Sequence, residues 1–190
     1  MPQRINDKYH YSKKSKNKGM TFIEVLVALV IMVTGILGAV AMQATAKKSS
    51  FDAMQRSLAS SLAQDIIERI RGNNSSALSL YAANSPYGSG KITSPPTCNS
   101  PASLCSPAEM VTHDLFGWEQ ALMGANALKA TNKVGGLVGG IGCITVVGNS
   151  VKVVITWQGK IETIDSANAE ACGSANDSAR RQVVVDAFII

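Results

Sequence analysis

Histidine and closely spaced cysteine pairs, the usual material of metal and nucleophile sites, are nearly missing from this 190-residue chain. Neither His10 nor His113 has a spacing to a ligand that suits zinc, and the four cysteines, at 98, 105, 143 and 172, include no Cys-x-x-Cys pair. No metal is therefore expected, and His113 reads as a surface or packing residue. The glycine-rich residues 133–142 lack the Gly-Lys-Ser/Thr of a P-loop and show no G-x-G-x-x-G spacing, so they read as a linker and no cofactor is expected. The serines have no G-x-S-x-G setting. Asp114 and Glu119 are five residues apart and need not converge, while Asp65 and Glu68 read as solvated partners for Arg69 and Arg71. Without a legible nucleophile–base pair, the expectation is a chain that is not an enzyme.

Positive charge is also missing where a nucleic-acid binder would need it. The formal net charge is +5, but Arg4, Lys8, Lys13, Lys14, Lys16 and Lys18 against Asp7 place all of that excess in residues 1–19. The rest of the chain is neutral overall, without the basic excess that contact with nucleic acid requires, and no nucleic-acid partner is expected.

The third absence is of any charge in residues 25–46. A helix of that length, rising 1.5 Å per residue, crosses a hydrocarbon core of about 30 Å. The lysines ahead of it favour a cytoplasmic residues 1–19 and an exported C-terminus. All four cysteines lie beyond the apolar run, which suits an oxidising compartment and two disulfides. Three readings compete: a signal anchor, a secretory signal peptide cut after Ala39-Val40-Ala41, and a leader removed ahead of the apolar stretch. The second is weakened because its apolar run would exceed the usual stretch of about 7–15 residues. It is also weakened by Glu24, since an acid in an apolar helix costs about 2.5–3.5 kcal/mol near the bilayer centre.

Around that acid the chain reads Lys18-Gly19-Met20-Thr21-Phe22-Ile23-Glu24-Val25-Leu26. This resembles the type IV prepilin, or class III, signal. The resemblance implies cleavage between Gly19 and Met20 by a prepilin peptidase, N-methylation of Met20, and Glu24 as the acid that neutralises the Met20 amine of a neighbouring subunit. The electrostatics agree: cleavage removes the cationic leader, and Glu24 then lies one turn from the new amine, near a helix N-terminus where a negative charge is favoured. Gly35 and Ala39 form a small-xxx-small pair that either is merely tolerated or permits close helix packing.

Past Lys47-Lys48 the pattern becomes amphipathic. Phe51, Met54, Leu58, Leu62, Ile66 and Ile70 recur at spacings of three or four, and Arg71-Gly72-Asn73-Asn74 reads as a stop. The stripe is too irregular for a coiled coil. One helix over about residues 20–71 is expected, some 78 Å long. Residues 73–107 read as loop. Ser106-Pro107-Ala108-Glu109 reads as a helix start, followed by Val111, Leu115, Trp118 and Leu122 at helical spacing, with Trp118 a core residue. Strands are expected at 143–147 and 151–157, joined by the hairpin signal Gly148-Asn149-Ser150, and at 181–190 after a polar loop holding Cys172. The expected class is α+β: a pilin-like fold with a long N-terminal helix packed against a small antiparallel sheet. Its parts are a leader (1–19), an apolar half-helix (20–46), an amphipathic half-helix (47–72) and a head (73–190).

In the head, Cys-Ile-Thr-Val (143–146), Val-Ile-Thr-Trp-Gln-Gly (154–159), Ala-Cys-Gly (171–173) and Arg-Arg-Gln-Val-Val-Val (180–185) stand in an order similar to the PilV group of minor pilins. Pro-Pro-x-Cys (95–98), Cys-x-Pro-Ala-Glu-Met (105–110) and Trp-Glu-Gln-Ala-Leu (118–122) extend the likeness. Met20, where many pilins carry Phe, is a mild departure. Of the three possible cysteine connectivities, Cys98–Cys105 with Cys143–Cys172 is favoured, for roughly 2.5 and 3.6 kcal/mol of chain-entropy stabilisation at the upper end. The resemblance implies a minor pilin in type IV pilus assembly, hence in fimbrial adhesion and motility. Its implied partners are the prepilin peptidase, other minor pilins and the major pilin, the inner-membrane assembly platform, and the membrane before assembly. Its implied location is the inner membrane with a periplasmic head, then the cell surface. A type II secretion pseudopilin (GspI-like) and a secreted or anchored binding domain are the alternatives.

Overall fold

The computed structural model describes residues 19–92, 95, 97–98, 104–125, 128–129, 132–133, 135–162, 171–173 and 178–190. Expectations for residues 1–18, and for parts of the 95–110 and 159–179 segments, lie outside these residues. The chain divides into two compact units, one ending at Ala44 and the other Thr45–Ile190. Helix α1, Phe22–Gly72, carries both halves of the expected long helix. After it come a 3-10 helix (Ser75–Ala82), α2 (Pro107–Met123), a two-stranded ribbon of β1 (Leu128–Lys129) and β2 (Asn132–Lys133), and three longer strands. These are β3 (Ile141–Val147), β4 (Ser150–Gln158) and β5 (Arg180–Phe188), which form an antiparallel sheet in the order β3-β4-β5. The fold is α+β, with a long N-terminal helix and a small antiparallel sheet.

The second half of α1 buries Gln55, Ala59, Leu62, Ala63, Ile66, Ile67 and Ile70. Spacings of three and four put these on one helix face. The face is rotated from the expected stripe: Met54 is 56% exposed and Phe51 only half-buried, while the polar Gln55 is 2% exposed. Gln55 can be buried because its Oε1 accepts the Val138 N–H at 3.0 Å, which removes the cost of an unpaired amide oxygen. The core continues on α2 through Val111, Leu115, Trp118 and Leu122, and on the central strand through Val151, Val153, Ile155 and Trp157. Helix α2 begins as its sequence predicts. Ser106 and Glu109 form a reciprocal capping box, Pro107 occupies the first turn, and Gly124 ends the helix at φ +66°.

Two segments depart from expectation. Residues 73–107 are not all loop, because Asn74 accepts the Ser76 N–H and starts the 3-10 helix, which buries Leu78 and Tyr81. Three residues per turn align those two side chains, a period that a search for α-helical spacing passes over. The glycine-rich stretch is not a linker. A Cβ on Gly136 would lie 2.3 Å from the Gly124 nitrogen, so loop backbone rests on the end of α2, and the Leu137 N–H donates to the Leu122 carbonyl at 3.0 Å. Gly142 is already in β3, where a Cβ would stand 2.3 Å from the Trp118 ring. Bare backbone is what lets strand and helix approach.

Cys98 is bonded to Cys105, and Cys143 to Cys172. Cys143 pairs across the ladder with Val154, so both point to the sheet face opposite Val153 and Ile155. The second disulfide lays the segment at Cys172 on that outer face, and this accounts for the burial of Val154 and Thr156.

Two outcomes follow for chemical denaturation of the full chain in detergent. Gly142→Ala is expected to cost about 2 kcal/mol through overpacking on Trp118. Replacing Cys143 and Cys172 together by serine is expected to cost about 3 kcal/mol, with the larger effect on the sheet.

Candidate functional site

At its N-terminal end α1 starts at Phe22, and Gly19 and Met20 are exposed just ahead of it. No atom lies within 4 Å of where a Gly19 side chain would begin. Thr21 is the residue before the first turn. Its backbone N–H and its hydroxyl both donate to Glu24 Oε2, at 3.2 and 3.4 Å, while its carbonyl accepts the Glu24 N–H at 3.1 Å. Three residues separate cap and acid, the spacing at which a glutamate reaches back over a helix start. The N-terminal end of the dipole lies there as well, and it favours a carboxylate. Glu24 thus has a partner in its own chain, Thr21, beside the neighbouring subunit's amine that the resemblance implies.

Behind it, Phe22, Ile23, Val25, Leu26, Val27, Leu29, and the apolar side chains on to Met42, are all exposed. The helix is long and apolar enough to cross a membrane. The hydroxyl of Thr34 is satisfied locally, since its Oγ1 donates to the carbonyls of Val30 and Ile31, each at 2.9 Å. Side chains at Gly35 and Gly38 would meet nothing within 4 Å, so both positions leave a smooth surface that another helix could approach closely. A surface of this kind is stable only in lipid or against other apolar helices.

The head's two candidate acids are both engaged. Asp114 is 6% exposed, accepts the Tyr81 hydroxyl at 2.7 Å and faces Arg69 Nη1 at 3.6 Å. Burial, together with the hydrogen bond to Asp114, pushes the Tyr81 phenol well above its ordinary range. Glu119 is wholly buried. Its Oε1 accepts the backbone N–H groups of Gly88, Ser89, Gly90 and Lys91 at 3.0–3.3 Å, and its Oε2 accepts that of Ile92 at 3.1 Å. Burial alone would raise its pKa, but the hydrogen bonds from Gly88, Ile92, Lys91 and Gly90 outweigh burial and hold it below the usual carboxylate range. Nearby, burial lifts the Tyr87 phenol to about 12. Glu119 is an internal anchor for the 88–92 turn, a role that reading the sequence missed. The available signal was its position four residues after Leu115 and one after Trp118, on the apolar face of α2. Asp65 and Glu68 lie at the helix surface beside Arg69 and Arg71, at 2.9 and 2.6 Å.

The model of the prokaryotic N-terminal methylation motif matches residues 14–40. The type IV pilin Tt1218 (Tt1218-like) family model matches residues 41–116. The two matches adjoin, running from the lysines ahead of Gly19 through Glu24 and α1 into α2. No curated protein matches the chain, and no solved structure does.

Glu119→Gln keeps the size of the side chain but places an NH₂ against backbone donors. It is expected to cost about 3 kcal/mol at neutral pH, read by denaturant titration of tryptophan fluorescence. Because the folded pKa is depressed, the contribution of Glu119 is full above its unfolded value of about 4.3. It is lost as pH falls from there through the lower folded value. The variant should therefore show a flatter acid limb than the parent chain.

Proposed function

We propose that this chain, a type IV pilin by its methylation motif and matched family, serves as a minor pilin that helps to initiate or modify a pilus. The observation that carries the reading is the pairing of an exposed Gly19–Met20 bond with a Thr21-capped Glu24 at the head of an exposed apolar helix. Cleavage at that bond by the prepilin peptidase discards the leader's positive charge and creates an α-amine at Met20. Methylation leaves that amine a cation. In a bundle of apolar helices, Glu24 leaves its bond to Thr21 and pairs with the Met20 amine of a neighbouring subunit. An unpaired charge in that medium is costly, so the pair favours one axial register between subunits.

Before assembly, the apolar half of α1 is held in the inner membrane with the head on the periplasmic side. In the fibre it exchanges lipid for neighbouring helices, in company with other minor pilins, the major pilin and the assembly platform. The chain is a substrate of an enzyme rather than an enzyme itself. The order of its cysteine-centred motifs in the head supports the PilV group. The two disulfides suit a head exported to the oxidising periplasmic side, and the proposed pilus carries it on to the cell surface, with roles in adhesion and motility.

Mass spectrometry of the mature chain is expected to find N-methyl-Met20 at its start. A chain beginning at Met42 would instead establish a secretory signal. Glu24→Ala is expected to be cleaved normally yet to enter fibres at least tenfold less, scored by immunoblot of sheared pili; normal incorporation would refute the charge-pairing role. Loss of the gene should remove or alter surface pili, whereas loss of secreted enzymes with intact pili would favour the pseudopilin.

A further inference from the structure

The uncharged run ends at residue 46, and Lys47 and Lys48 follow at once, both exposed on α1. They lie at the opposite end of the run from the leader lysines, where positive charge works against the orientation that the leader sets. Orientation therefore gives no reason for them. A third lysine comes to the same level of the helix from a distant part of the chain. The turn after β4 is pinned to α1 by Asp52, whose Oδ1 accepts the Lys160 N–H at 2.9 Å and whose Oδ2 lies 3.7 Å from Arg181 Nη2. Arg181 Nη2 also donates to the Ile161 carbonyl at 3.0 Å, fixing the same turn. The Lys160 Nζ sits 5.4 Å from the centre of the Phe51 ring, within cation–π range. Next to it, Ile161 is 41% exposed.

Measured along α1, these groups span about the thickness of one headgroup layer. At 1.5 Å per residue, Asp52 lies about 6 Å beyond Lys48 along the helix. The headgroup region on each side of the hydrocarbon core is about 5–7 Å thick. A cationic and aromatic cluster beside an exposed aliphatic side chain is the combination that settles in that layer, with its stems in the apolar part and its charges at the phosphates. Asp52 is engaged with Arg181 and the Lys160 backbone, and Glu162 is the acid that follows in the turn.

We propose that Lys47, Lys48 and Lys160, with Phe51 and Ile161, form a docking surface for the anionic phosphate headgroups of the membrane that holds the subunit before assembly. The surface rests on the anchored reading above and adds a partner to it: the head is drawn down onto the lipid by a turn that α1 itself positions. Leaving the membrane then requires release of these headgroups as well as transfer of the apolar helix.

The full chain, reconstituted in vesicles of phosphatidylcholine alone or mixed with phosphatidylglycerol, is treated with an amine-acetylating reagent, and each lysine is followed by mass spectrometry. Lys91, on the turn held by Glu119, is the internal reference. Relative to Lys91, acetylation at Lys47, Lys48 and Lys160 is expected to slow about fivefold at each when phosphatidylglycerol is present. Molar salt should abolish that difference. Equal rates in the two vesicles, with the chain still resisting extraction by alkaline carbonate, would overturn the surface and leave the anchor standing. Extraction by carbonate would overturn the anchor and the surface with it. In a K47Q/K48Q chain the protection of Lys160 is expected to fall, and unchanged protection would overturn the shared surface.

Discussion

A single indole organises the head. Trp118 is wholly buried, and its Nε1–H donates to the Leu62 carbonyl at 2.8 Å, a bond from α2 into the buried second half of α1. A backbone carbonyl inside a helix already has a partner, so this second donor is accepted only if α2 lies close against α1 along that line. Tyr87 meets the ring edge-on at 5.7 Å between centroids, and β3 passes so near that position 142 must be glycine. One side chain thus sets the spacing of two helices, a strand and a turn. The residues beside it inherit that geometry: Glu119 faces the 88–92 turn, and Leu122 receives the loop at Leu137 through its carbonyl.

The parts that could be read from the sequence are those governed by local rules. The Ser106–Glu109 capping box, the hairpin signal at Gly148-Asn149-Ser150, whose last residue already belongs to β4, and the charge-free run of residues 25–46 each follow from a few neighbouring side chains. The methylation motif was legible because it is a short local pattern, and it is from that pattern that the roles proposed for Gly19, Met20 and Glu24 are drawn. Long-range pairings decided what was illegible. Gln55 could not be placed in the core without the Val138 N–H, which lies 83 residues away. The glycine-rich segment looked like a linker because composition does not reveal that its backbone lies on the end of α2. The 3-10 helix escaped notice because its period of three is rarely sustained long enough to register.

Thr21 changes the account of the acid at the helix start. A bare carboxylate at that depth would be a liability in lipid, but the Thr21 N–H and hydroxyl keep it solvated by its own chain. The two bonds are long and exposed, and a neighbour's ammonium is the stronger partner, since an ion pair in a low-dielectric medium exceeds a neutral hydrogen bond. On the proposed reading, the helix start is therefore satisfied in either setting, with a preference for the assembled one.

The five backbone amides gathered by Glu119 also give the head a sequence in time. Gly88 and Glu119 are 31 residues apart, and in a chain made from its N-terminus the donors come first. Until α2 exists and turns its acid inward, the 88–92 turn has only water to bond. The turn is thus fixed by a helix that follows it in the chain, and its closure reports that α2 has docked.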